Sequence, residues 1–285
     1  MCGCGCVERE RDREREESVA LSSLSFAHPF IHKPTPHKQI YDFFGTGTFL
    51  AVNVLAFAWG GASTPRSTVV FLAVALWALR LGGFLTLRAA RLGDSRFEAA
   101  KNSPLLYLVY WLMQAVWVFT TLSPVVWCHT ASFTTPPRGL WAPDIIGGLL
   151  FAYGWVVEAV ADAQKFKFKS APANRGKFID SGLWAWARYP NYWGEMCVWA
   201  GIWLLCSGSF GGVGSPAWAT VVSPLFVVGL LFFVSGIPLQ EKQAGDRWGG
   251  DPAFMAYRAR TNLLVPLPFK CVGGGSGVGG RGRRD

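Results

Sequence analysis

Apolar runs of about 20 residues recur along this chain, and a helical run of that length matches the hydrocarbon thickness of a bilayer. Six are present, at 43–60, 67–87, 104–127, 140–161, 191–210 and 216–238. Each contains Gly, Pro or a polar residue, which membrane helices tolerate better than soluble ones do. The competing reading is a large soluble all-α domain with buried helices. Composition weighs against it. Of 285 residues, 51% are hydrophobic and only 16% charged, with 14 Trp and 21 Phe, so few charges remain to cover a soluble surface. The expected fold class is all-α: a polytopic membrane bundle of about six transmembrane helices.

The net charge of +9 invites a nucleic-acid partner, but its distribution argues against one. With six spans the connections alternate sides. The connection at 88–103 carries Arg88, Arg91, Arg96 and Lys101, and that at 162–190 carries Lys165, Lys167, Lys169, Arg175, Lys177 and Arg188. The opposite connections hold Arg66, Arg138 and no Lys or Arg between 208 and 216. This is the positive-inside asymmetry. It predicts an integral membrane protein with both termini and the two basic loops in the cytosol. The endoplasmic reticulum is the expected membrane. The first 40 residues hold no secretory h-region, and their acidic residues argue against a transit peptide.

The expected organisation is a disordered charged tail over 1–39, a membrane domain over 40–270 and a disordered Gly/Arg-rich tail over 271–285. Cys2, Cys4 and Cys6 lack metal-ligand spacing, so a disordered tail is expected there, with palmitoylation as the alternative. Seven Cys, an odd number without framework spacing, suggest reduced thiols. No metal site is expected.

The segment 177–195 is polar and aromatic yet lies between two apolar runs, so its ionisable residues sit where a helix meets water. Polar groups at that depth are functional candidates. Glu158 and Asp162, four apart, share a helix face just before it. They read either as the wall of a polar pocket or as helix-end carboxylates that pair with neighbouring Lys. In 165–169, KFKFK, an extended chain would put Lys165, Lys167 and Lys169 on one side and both Phe on the other. That suits anionic headgroups or the capture of a phosphate. The turn at 172–176 brings Asn174, the Arg175 fork and backbone N–H groups together, as an anionic ligand requires. Pro190 fits the first turn of a helix. Asn191 and Glu195 then share a face, with Arg188 just ahead of them. The helix dipole alone could favour Glu195 there, but a structural helix start needs only one cap. Beyond the sixth run, Glu241 follows by about one turn. Tyr257 and Arg258 lie in a segment long enough to fold back over 177–195. In the third run, Gln114 and Tyr110 are polar groups whose direction the period leaves open.

These residues carry a resemblance. RYPNYWGE at 188–195 resembles the RHPNYxGE signature of the steroid 5α-reductase-like integral membrane superfamily. DAQK at 162–165, NRGKFID at 174–180, GLW at 182–184, WALRLG at 77–82 and RFE at 96–98 are also similar to it. The chain is most similar to the branch with a 3-oxo-5-alpha-steroid 4-dehydrogenase-like C-terminal domain, over about 40–268. Relatives in that superfamily include NADPH-dependent steroid, sterol and enoyl reductases, and isoprenylcysteine and phospholipid methyltransferases that use S-adenosylmethionine.

The resemblance implies that Asp162, Arg188, Asn191, Tyr192, Glu195 and Glu241 line a cofactor site. It also implies one departure, because the signature His is Tyr189 here. A phenol of pKa about 10 donates a hydrogen bond but does not switch charge near neutrality. In the reductase reading, NADPH places its phosphates on Lys165, Lys169, Arg175 and Arg188, with Asn174 and Tyr257 also in the cofactor set. Hydride goes to an activated C=C of a lipid or steroid-like substrate within the bilayer. Tyr189, Tyr192 or a protonated Glu195 polarises the conjugated carbonyl, burial being what would keep Glu195 neutral. In the methyltransferase reading S-adenosylmethionine occupies the site. The third reading is a non-catalytic lipid-binding relative.

Overall fold

The computed structural model describes residues 37–60, 64–92, 103–131 and 140–268, with no side-chain detail for 37–42. The expected N-terminal tail up to residue 36, Cys2, Cys4, Cys6, Arg96, Lys101, Arg138 and the C-terminal tail lie outside the described residues.

The apolar runs become helices whose starts are written in their first turns. The first helix, α1, spans His37–Trp59. Helix α2, Pro65–Leu92, opens at Thr64, whose Oγ1 accepts from the Ser67 amide at 3.1 Å. Helix α3, Pro104–Thr130, opens with Ser103 capping the Leu106 amide and Pro104 in the first turn. Helix α4, Ala142–Ser170, starts where the Trp141 amide donates to Asp144 Oδ2 at 2.9 Å. Helix α5 spans Pro190–Ser207, with Pro190 at its first position as the sequence predicts. The sixth run is broken into a 3-10 turn Pro216–Val221, helix α6 Val222–Gly229 and a π turn Leu230–Val234. After Gly236 come α7, Ile237–Trp248, and α8, Pro252–Arg260. Among the described residues there is no strand, only one isolated parallel bridge between Ala187 and Asn262.

Four stretches are long and apolar enough to cross a membrane: Pro65–Leu92, Pro104–Thr130, Ala142–Ser170 and Pro216–Trp248, with Phe43–Trp59 a shorter apolar helix. Their outward faces are apolar too, with Leu72, Leu79, Phe119, Ile145, Leu149 and Leu225 exposed. A helix hydrophobic all round belongs in lipid. The protein is an all-α membrane helix bundle. The fifth run folds as α5, the most enclosed helix, buried along most of its length.

Helix α5 is enclosed because it packs backbone to backbone on α4. A Cβ added at Gly154 would lie 2.6 Å from the Gly194 carbonyl oxygen, and one at Gly147 would lie 2.7 Å from that of Gly201. Small residues at such a seam let membrane helices approach closely, where dispersion rather than the hydrophobic effect holds them. Beside it an aromatic cluster fills the centre. Phe49 meets Trp77, Trp117 and Trp199 at ring separations of 5.0, 4.7 and 5.6 Å.

Polar networks mark the two ends of the bundle. At one end, starts of α2 and α4 meet through the buried pair Arg66–Asp144, with bonds of 2.7 and 2.9 Å. Ser67, His129 and Asn53 form a buried chain beside it at 2.7 and 3.0 Å. Each His129 nitrogen has a partner, so this network is satisfied. The other end carries the start of α5.

One local expectation changes. The 165–169 segment is not extended: α4 continues through it to Ser170. Extending a formed helix adds one hydrogen bond per residue fixed, which outweighs an alternating side-chain pattern. Lys165 and Lys169 therefore share a face, Phe166 packs on Phe84 at 6.0 Å, and Lys167 is exposed.

Candidate functional site

At the end where α5 starts, the polar residues form two groups. The first lies inside the bundle. Arg80, on α2, reaches Glu158 at 2.5 Å and Asp162 at 3.2 Å on α4. Asn191 on α5 donates to Asp162 Oδ1 at 3.3 Å. Glu195, one turn deeper, accepts indole N–H bonds on both oxygens, from Trp77 at 3.0 Å and Trp199 at 2.9 Å. Charge links it to Arg80. Three carboxylates thus surround one guanidinium in a layer largely closed to water. Such an arrangement holds only if each charge is paired or hydrogen-bonded. Two buried acceptors of the group remain unmet, Glu158 Oε2 and Asn191 Oδ1.

The second group lies at the mouth. Backbone bonds tie the strap after α8 to the entry of α5: the Asn262 amide donates to the Trp186 carbonyl, and the Arg188 and Tyr189 amides donate to Asn262 and Leu263, all at 3.0 Å. The C-terminal segment thereby folds back over 177–195. This brings Glu241 on α7 under Arg188, whose NH1 donates to both its oxygens at 2.7 and 2.8 Å. Glu241 also accepts from the Tyr189 hydroxyl at 2.7 Å and from Arg258 NH2 at 2.9 Å. Burial, and then the bond to Glu241, push the Tyr189 phenol above its ordinary range, so it stays protonated. Tyr257, raised chiefly by burial, donates to the Trp184 carbonyl at 2.8 Å.

Between α4, the 177–189 segment and α7–α8 lies a cleft of about 690 Å³, counted to its open mouth. Lys165, Lys169, Lys177, Arg188 and Arg247 line it against one carboxylate, Glu241, which is already bracketed. Aromatic faces complete the wall: Phe178 packs on Trp248, Phe254 and Tyr257, and Lys165 sits 4.4 Å over the Trp184 ring. Arg188 Nε is buried without a partner.

The sequence-predicted residues are divided between these groups. Asp162, Asn191 and Glu195 join the inner layer. Lys165, Lys169, Arg188, Tyr189, Glu241 and Tyr257 surround the cleft. Tyr192 stacks on Tyr189 at 5.6 Å and 13° and packs with Met196 and Ile237. Asn174 closes α4 by donating to the Phe168 carbonyl at 3.1 Å. Arg175 is exposed on the turn before Gly176, whose φ of 77° suits glycine, and does not line the cleft. Arg80, Trp77, Trp199, Lys177 and Arg247 are additions. An Arg in the middle of an apolar run was the visible signal for Arg80; Trp199 had none. Among the described residues no group of His, Cys, Asp or Glu is placed to hold a metal ion.

Comparison with known proteins adds the family. The chain is 25% identical over 186 residues to the uncharacterised protein C594.04c of Schizosaccharomyces pombe, an overlap of 57% of this chain and 50% of that protein. It thus spans about half the length of the curated relative it matches. No solved structure matches it. A family model described as a protein of unknown function, DUF1295, matches residues 30–261. That match covers most of the chain, α1 through α8, with the inner layer and the cleft between them: the chain belongs to the DUF1295 family.

Proposed function

We propose that this chain is an integral membrane oxidoreductase that reduces an activated C=C bond of a steroid or other lipid with NADPH. The observation that carries the reading is the cleft, where five cationic side chains face one already neutralised carboxylate beside a wall of aromatic rings. Such a surface suits phosphates and a stacked base. The buried, unpartnered Nε of Arg188 fits an anionic oxygen. The similarity of 188–195 to the 5α-reductase-like signature points the same way. By charge asymmetry the cleft faces the cytosol, with the termini on that side and the endoplasmic reticulum as the membrane.

In this reading Lys165, Lys169, Lys177, Arg188 and Arg247 hold the phosphates, and Asn191 and Glu195 orient the reacting end. NADPH, when bound, supplies the hydride. Of the three groups expected to polarise a conjugated carbonyl, Tyr189 already donates to Glu241 and Glu195 accepts from two indoles. All three stay in the donor set, Tyr189 carrying the stacked ring of Tyr192. The apolar wall around it, with Met196, Phe232 and Leu231, excludes water from the substrate.

One observation favours a second reading. Three carboxylates around a single Arg80 leave the inner layer rich in negative charge, which suits the sulfonium of S-adenosylmethionine. A non-catalytic lipid-binding role is the remaining alternative. Thermal stabilisation of the purified protein in detergent, titrated with each compound, decides among them. Stabilisation by NADPH alone supports the reductase and by S-adenosylmethionine alone the methyltransferase. Stabilisation by neither refutes both enzyme readings.

A further inference from the structure

Midway along α3, Gln114 is 6% exposed and its Oε1 has no hydrogen-bond partner. A buried acceptor without a donor works against folding. Its place in the bundle suggests why it is there. Phe49 touches both Trp117 and Trp199, so these two rings are level. One helical turn towards the cleft end brings α3 to Gln114 and α5 to Glu195. The same step on α1 leads from Phe49 to Gly45, where an added Cβ would lie 3.3 Å from Gln114 Oε1. On α2 it leads from Trp77 to Arg80. Gln114 therefore lies level with the inner polar layer, on α3.

The unmet atoms at this level are of both kinds. Gln114 Oε1, Glu158 Oε2 and Asn191 Oδ1 are acceptors, and Arg80 Nε is a donor. A ligand group that both donates and accepts suits such a layer. We propose that Gln114 anchors a hydroxyl group of the lipid ligand, fixing that end of the molecule across the layer from Glu195. A hydroxyl offers a donor to Oε1 and an acceptor to Nε2, so it satisfies the amide in either orientation, whereas a ketone meets only the N–H side. At Gly45 no side chain stands between the α1 backbone and the amide. The proposal rests on the reading of the Glu195 layer as the reacting site, and it narrows the substrate class to hydroxylated lipids.

The test uses the full chain in detergent with cholesterol and its 3-deoxy counterpart, 5-cholestene, as probes, and reads binding without turnover. Wild type should bind the sterol about tenfold more tightly than the hydrocarbon, the factor of one net hydrogen bond. In Gln114→Met that preference should vanish. The ligand-free variant should melt about 2–4 °C higher, since an unmet polar group has been removed. A preference that survives in Gln114→Met, no preference in wild type, or a lower melting temperature for the variant each overturns the proposal. Nucleotide stabilisation measured on the same samples is independent. Its absence, with the sterol preference intact, sinks the oxidoreductase reading and leaves the hydroxyl site standing.

Discussion

Replacing Arg80 by Met removes the cation that, among the described residues, touches both α4 carboxylates of the inner layer. Its guanidinium lies 2.5 Å from Glu158 and 3.2 Å from Asp162, and its side chain is 13% exposed. At an effective dielectric near 20, each unit-charge contact at about 4 Å gives roughly 4 kcal/mol, so two give roughly 8 kcal/mol gross. Releasing the guanidinium from its own desolvation returns several kcal/mol. The expected net loss is about 3–5 kcal/mol, the scale of breaking a buried pair from one side. That corresponds to a melting temperature lower by roughly 6–20 °C for a chain of this size. The assay is denaturation in mixed micelles, with wild type and variant followed side by side. Adding Glu158→Gln to Arg80→Met should recover part of the loss, because a neutral amide is cheaper to bury unpaired than a carboxylate. A loss under about 1 kcal/mol, or a double variant equal to the sum of its singles, would refute the claim that Arg80 holds this layer together.

Glu195→Gln should abolish turnover and leave the protein folded, at a stability cost of about 1–3 kcal/mol, because one indole N–H of Trp77 or Trp199 then faces an amide NH₂; full NADPH consumption by this variant counts against the role of Glu195. Gly154→Ala should destabilise by about 1–3 kcal/mol, because its Cβ would collide with the Gly194 carbonyl, and unchanged thermal unfolding would contradict the backbone seam. Lys169→Ala should weaken NADPH binding and flatten its salt dependence, while Arg175→Ala, outside the cleft lining, should do less; the reverse ranking in fluorescence titrations would move the phosphate site. Burial holds Tyr189 and Tyr257 protonated above the ordinary tyrosine range, so the folded state keeps protons that the unfolded state releases. Their contribution should be constant below about pH 10 and decline above it, and Tyr189→Phe should shallow that decline in melting curves across alkaline pH.

Much of the fold was legible in the chain because a bilayer imposes its thickness on sequence. Runs of the right length and Pro190 at a helix start read directly as helix limits. Part of the site was legible for a related reason. Asp162, Asn191 and Glu195 are polar groups where polarity is costly, so their presence signals a role or a partner. Their partners were less visible. Arg80 and Asp162 are 82 residues apart, and no local pattern connects them. The turn holding Asn174 and Arg175 looked like an anion cradle, yet its Asn174 side chain serves to end α4. The KFKFK alternation misled because a side-chain period of two also occurs within a helix that continues for other reasons.

The sequence by itself determined that this chain forms a bundle of membrane helices and which polar residues gather near the start of the fifth, because burial in lipid is a property of composition and length. Only the tertiary structure decided how those residues divide. It sent Glu195 to the indoles of Trp77 and Trp199, Glu241 to Arg188 and Tyr189, and the lysines to an open basic cleft. That division depends on helix rotation and on the close glycine contact of α4 with α5, which set long-range distances that no run of neighbouring residues encodes.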